Sequence, residues 1–303
     1  MKKKLYEGWI GSGKTNSIKK RIKELINENK SMVILDTKRE YEELFKDTDY
    51  EIVKFDLNNL DDSIDYNPLY YAEKLYKQEK IDQAIGKIIS FGNLLFKSND
   101  GIDPYWDNSA KSMYIGICLY ILEQKRNLNL KEIIKVSIDE FDSLTDYINN
   151  KDILSTINII TSSIINAPQE TKGGILSVLR QKLGYFASRP TLLDKISNSY
   201  DLEIKNKNQV ILLTNFDQST IFNILIENAL INIINEMIDS NDKYTVILDN
   251  FDTILNNNEF ESLFKTYLSD NIECIVGVRD NSLVKPIDEF LVMYRKGEET
   301  KIN

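Results

Sequence analysis

The stretch "GWIGSGKT" at residues 8–15 decides how the rest of the chain is read. It satisfies G-x-x-x-x-G-K-[ST] in full. Glycines at these positions let a loop turn its backbone N–H groups toward phosphate oxygens with no Cβ in the way. The lysine reaches the outer phosphates and the hydroxyl of the last residue sits on a cation. The expected phosphate-binding set is Gly8, Gly11, Ser12, Gly13, Lys14, Thr15 and Asn16. The plainer alternative is a glycine-rich helix start that binds nothing.

The setting favours the cradle. "KKLY" before the loop reads as a short strand, and Ile18, Ile22, Leu25 and Ile26 recur at helical spacing after it. "MVILD" then closes a β-loop-α-β unit, and "EIVKFDL" at 51–57 adds a strand. Residues 72–195 are mostly helical in pattern, with smaller helices and turns expected in "LKEIIKVSIDEFDSLTDYINN". Strand-like runs return as "QVILLTNF" (209–216), "YTVILDNF" (244–251) and "IECIVGV" (272–278). Helical patterns, "TIFNILIENALINIINEMID" and "EFESLFKTYLSD", separate them. Continuous apolar strands alternating with helices indicate an α/β fold whose parallel sheet is covered on both faces. The expected division is a nucleotide-binding domain of residues 1–103 and 191–303 with an all-α domain inserted at 104–190.

Composition narrows the chemistry. The 303 residues contain no histidine, which removes Ser-His-Asp and Cys-His catalysis and most zinc chemistry. Cys118 and Cys274 lie in apolar runs and read as buried, reduced thiols. A net charge of -9 argues against a surface that is basic overall, although a local basic patch or a ring's pore is compatible with it. The longest apolar run, "MYIGICLYIL" at 113–122, is about half of the roughly 20 residues that span a bilayer. The expectation is a cytoplasmic chain with no transmembrane segment or signal peptide of its own.

A phosphate loop needs an acid at the end of another buried strand to hold Mg²⁺. "VILDNF" offers Asp249, and "VILD" at 33–36 offers Asp36 as a competitor. Asp249 is preferred because in the additional-strand class of such enzymes another strand lies between the loop strand and the acid strand. ATP with Mg²⁺ is the expected cofactor, Thr15 and Asp249 holding the metal. Where many motor ATPases place a glutamate next to this acid, the chain has Asn250, which orients a water but cannot take its proton. General-base catalysis contributes about 10²- to 10⁴-fold, so Glu40 or Asp252 must assist or turnover is slow.

Taken together, the segments resemble the TraG/TraD family of type IV secretion coupling proteins, relatives of the FtsK/HerA motors. "DTKREYEELF" (36–45) is similar to that family's Asp-Pro-Lys-Gly-Glu segment, with Asp36, Lys38 and Glu40 matching and Thr37 and Arg39 departing. "YNPL" (66–69), "DPYW" (103–106) and "ETKGGILSVLRQKLGYF" (170–186) resemble further family stretches. The resemblance implies a RecA-like P-loop NTPase with an inserted all-α subdomain, working as a hexameric ring. It further implies single-stranded DNA, a relaxase and secretion-system membrane proteins as partners. Members usually begin with a transmembrane anchor, for which residues 1–7 leave no room. In the family a glutamine near the strand after the metal acid senses the γ-phosphate, and Arg279 stands closest to that place. Arg180 is the candidate for an arginine acting on a neighbouring subunit's nucleotide, with a salt-bridged helix arginine as the alternative. Tyr105 and Trp106 read as a packing corner beneath the nucleotide site, and Lys19, Lys20, Arg21 and Lys23 as the wet face of the first helix.

Overall fold

The computed structural model describes residues 3–7, 13–97, 103–198, 208–215, 220–239, 245–250, 273–278 and 299–301. The chain divides into two compact units, one made of Met1–Ile64 and Leu202–Asn303, the other of Asp65–Asp201.

In the first unit, β1 (Lys3–Glu7), β2 (Met32–Leu35), β3 (Glu51–Asp56), β4 (Gln209–Thr214), β5 (Thr245–Leu248), β6 (Glu273–Val278) and β7 (Glu299–Lys301) form one sheet. Their order is β3-β4-β2-β5-β6-β1-β7, and every pairing among the described residues is parallel. Burial follows position in the sheet. Every residue of β2, β4 and β5 is buried, as strands covered on both faces require, whereas β3 begins exposed. As expected of the additional-strand class, β6 separates β5 from β1.

Helix α1 (Lys14–Asn27) turns Ile18, Ile22 and Leu25 onto the sheet. They pack with Met32, Ile34, Val210, Leu212, Ile247 and Ile275, and with Tyr41, Phe45 and Tyr50 from the segment after β2. Arg21 departs from the wet-face reading. Its side chain is only 11% exposed and grips Glu273 at 2.8 Å, tying α1 to the start of β6.

The second unit consists of α2 (Tyr70–Lys77), α3 (Ile81–Leu95), α4 (Tyr105–Glu123), α5 (Leu130–Ile138), α6 (Phe141–Asn149), α7 (Thr156–Ile165), α8 (Gln169–Ala187) and α9 (Pro190–Lys195). Its axis is α4, where "MYIGICLYIL" is buried throughout, so the apolar run is a core helix. Among the described residues, no helix is long and apolar enough to cross a membrane. The helical pattern that begins near residue 72 starts as two helices, broken after Lys77, and Glu79 takes a φ of 63°. "LKEIIKVSIDEFDSLTDYINN" is the pair α5 and α6.

This unit is wider than the 104–190 expected for it. The reason is packing: Gly92 of α3 lies against the Tyr114 ring of α4, and the Asn67 amide donates to the Leu128 carbonyl at 2.8 Å. Residues 65–97 therefore share a core with α4, although they precede the helical insertion expected to begin at 104. Among the described residues, the first unit's other α-helix is α10 (Thr220–Asp239), and "EFESLFKTYLSD" lies outside them.

Candidate functional site

The parallel sheet brings the carboxyl ends of β2, β5 and β6 to one edge, where open α/β sheets bind their ligands. Gly13 sits there as the N-cap of α1 with φ 91°, a left-handed conformation that favours glycine. Its carbonyl accepts the first intrahelical bond, from the Ser17 N–H at 3.0 Å. Lys14 follows as the first helical residue and is buried, while Asn16 is exposed. Gly8, Gly11 and Ser12 lie outside the described residues, as do Asp252 and Arg279.

Thr15 and Asp249 meet. The threonine hydroxyl donates to Asp249 Oδ2 at 3.3 Å, across 234 positions of sequence. Asp249 is 2% exposed and directly follows β5. Its Oδ1 accepts the Asn250 N–H at 3.0 Å, and Gly277 of β6 lies so close that a Cβ there would come within 2.8 Å of the same oxygen. Among the described residues no three His, Cys, Asp or Glu side chains cluster as a metal cage. A hydroxyl beside one carboxylate is instead an all-oxygen set of the kind Mg²⁺ takes, completed by phosphates and water.

Asp36 does other work. Its Oδ1 accepts the Glu40 N–H at 2.8 Å and its Oδ2 the Tyr41 N–H at 3.0 Å, which fixes the turn after β2. Burial pushes the Asp36 carboxyl up, and those N–H groups pull it back. Arg39, at φ 56°, ion-pairs with Asp56 at the end of β3. Glu40 is half-buried on this turn.

Two contacts with no sequence signal tie this turn to the acid strand. The Tyr41 hydroxyl donates to Asp249 Oδ2 at 2.6 Å, and the Asn250 amide reaches Thr37 Oγ1 at 3.4 Å. Burial and the adjacent Asp249 carboxylate hold the Tyr41 phenol well above its ordinary value, so it stays a donor. Asn250 itself has φ 54°. No motif or periodicity marks Tyr41 or Thr37 for these pairings, unlike Thr15 and Asp249, which the two motifs pair across 234 positions.

Arg180 belongs to the helical unit, where Nε and Nη2 both donate to the Ser137 carbonyl, at 2.9 and 2.6 Å. Tyr105 and Trp106 stack edge to face there, and Trp106 lies over Gly174 of α8, where a Cβ would come within 2.7 Å of the ring. Trp106 covers Gly174 with one face yet is itself 39% exposed, and Tyr105 is 48% exposed.

The family described as type IV secretory system conjugative DNA transfer matches residues 8–255. The fold is similar to that of the bacterial conjugative coupling protein TrwB in an unbound monoclinic form. The TM-score is 0.67 at 11% identity, over 97% of this chain and 66% of that one. TrwB in complex with ADP and Mg²⁺ gives 0.64 at 12% identity, over 94% and 65%. VirB4 of Thermoanaerobacter pseudethanolicus gives 0.59 at 13% identity, over 95% and 71%. The chain thus spans somewhat less than two thirds of the TrwB chains. No curated protein sequence matches it. These likenesses establish a RecA-like α/β fold carrying a helical subdomain.

Proposed function

Because the chain belongs to the type IV secretory system conjugative DNA transfer family, we propose that it is an ATPase of the coupling-protein kind. It binds Mg-ATP and uses hydrolysis to move single-stranded DNA, or a protein–DNA substrate, through a hexameric ring. The observation that carries this reading is the Thr15–Asp249 contact, which joins the phosphate loop to the acid strand at the sheet's carboxyl edge. In this reading Gly8, Gly11, Ser12 and Gly13 cradle phosphate, with Asn16 beside them, and Lys14 neutralises it. Thr15 and Asp249 hold Mg²⁺, which when bound offsets charge on the β- and γ-phosphates. Asn250 orients water, with Glu40 on the adjoining turn or Asp252 as the candidate for its proton. Arg279 and Arg180 are assigned to γ-phosphate sensing and to a neighbouring subunit's nucleotide. The relaxase and secretion-system membrane proteins are the partners this role requires, holding the protein at the membrane from the cytoplasmic side.

A second reading is favoured by one observation. The Asn250 amide is directed to Thr37 and carries no basic oxygen beyond its carbonyl. A site so furnished suits a nucleotide-binding module whose occupancy controls assembly and whose hydrolysis is poor.

ATP turnover with and without single-stranded DNA separates the two. The motor reading expects DNA-stimulated turnover that Lys14→Ala abolishes. Tight ATP binding with no turnover under either condition would leave only the module.

A further inference from the structure

We propose that Tyr41 is a positioning residue for the Asp249 carboxylate, and thereby sets how tightly the chain takes a divalent cation beside bound nucleotide; this rests on the nucleotide reading above. Three observations converge on it. The phenol donates to Asp249 Oδ2 at 2.6 Å, much shorter than the Thr15 hydroxyl contact to the same oxygen at 3.3 Å. The phenol is also confined. Its ring is 1% exposed within the core cluster, and its own N–H is pinned by Asp36 at 3.0 Å. Finally, the carboxylate has little room to turn, because Oδ1 takes the Asn250 N–H and Gly277 closes that side.

The consequence is a division of labour between two hydroxyls on one oxygen. The longer Thr15 bond is the one that yields when Thr15 turns to a cation, and Tyr41 keeps the carboxylate aimed meanwhile. A hydrogen bond of this kind to a ligating carboxylate fixes its orientation, and its loss typically weakens metal affinity about 10- to 100-fold. A tyrosine that served packing alone would show no such link to the metal.

The test is a Mg²⁺ titration of fluorescent ATP-analogue binding to the full chain. Tyr41→Phe keeps the ring and removes only the donor. It should need about tenfold more Mg²⁺ for half-maximal binding, with binding in chelator unchanged. Tyr50→Phe is the control: it removes another core phenol, which donates to the Lys30 carbonyl at 2.8 Å, and should leave the Mg²⁺ midpoint in place. Asp36→Asn, which loosens the turn but spares the phenol, should shift the midpoint the same way by less, and serves if Tyr41→Phe does not fold. Unchanged midpoints in Tyr41→Phe and Asp36→Asn, or an equal shift in Tyr50→Phe, would overturn the assignment. Absence of Mg²⁺-dependent binding in the wild type would instead remove the nucleotide reading itself, and the role of Tyr41 with it.

Discussion

Asn250 is held by its backbone as much as by its side chain. A φ of 54° is left-handed, a region that Asn and Asp enter at small cost and that penalises most other L-residues by about 1–2 kcal/mol. Glutamate at this position would carry that strain, so Asn250→Asp is the cleaner way to restore an acid. If proton acceptance is what the site lacks, Asn250→Asp should raise ATP turnover at least tenfold with the melting temperature nearly unchanged, the acid–base contribution being about 10²-fold or more. Turnover at the wild-type level would show that another carboxylate already serves. Gly277 is constrained by space, not by φ. An alanine Cβ would meet Asp249 Oδ1 at 2.8 Å and Ile18 Cδ1 at 3.1 Å, so Gly277→Ala should cost about 1–3 kcal/mol in denaturant unfolding. It should also weaken Mg²⁺-dependent nucleotide binding, because the carboxylate is what must move. The motif at 8–15 is readable in the sequence because its residues are contiguous, and of these Gly13, Lys14 and Thr15 are among the described residues. Gly277, Tyr41 and Thr37 carry no such signal, since only the fold sets the first two beside Asp249 and the third beside Asn250.

Helix packing shows the same contrast between local pattern and distant contact. The three- and four-residue steps of α1 and α8 were plain in the sequence because one face of each is apolar, and Ile18, Ile22, Leu25, Ile175, Leu179 and Leu183 are indeed buried. Which helices touch depends on small residues that periodicity does not flag. Gly116 in α4 is the sharpest case. A Cβ there would stand 2.2 Å from Thr161 Cγ2 of α7, so the two helices approach only because position 116 is glycine. Gly116→Ala should destabilise the helical unit by about 1–3 kcal/mol despite alanine's better helix propensity, a sign that chemical denaturation can read. The companion change Gly184→Ala, in α8 with nothing within 4 Å of its Cβ, should be neutral or slightly stabilising. The edge of the helical unit lies earlier than residue 104 for a related reason: α3 packs on α4, and α2 packs on α3.

Two compact units with separate cores imply that ligand energy is delivered unevenly. The α/β unit holds Gly13, Lys14, Thr15 and Asp249, whereas the helical unit has its own core around α4. A ligand that binds only the native form stabilises it by RT ln(1 + [L]/Kd), about 2.7 kcal/mol at a hundredfold excess over Kd. That gain belongs first to the unit whose residues make the site. Scanning calorimetry with and without Mg-ATP should therefore show the transition of the α/β unit move up, with the helical unit's transition shifting far less. Thiol labelling during denaturation tells the units apart, since Cys274 lies in β6 and Cys118 in α4, both buried. Both thiols are buried away from reagent, and burial also pushes the Cys118 thiol well up, so neither should be labelled in the native protein at neutral pH. Saturating Mg-ATP should delay exposure of Cys274 more than that of Cys118. Equal protection of both thiols would mean that the two units unfold as one cooperative body.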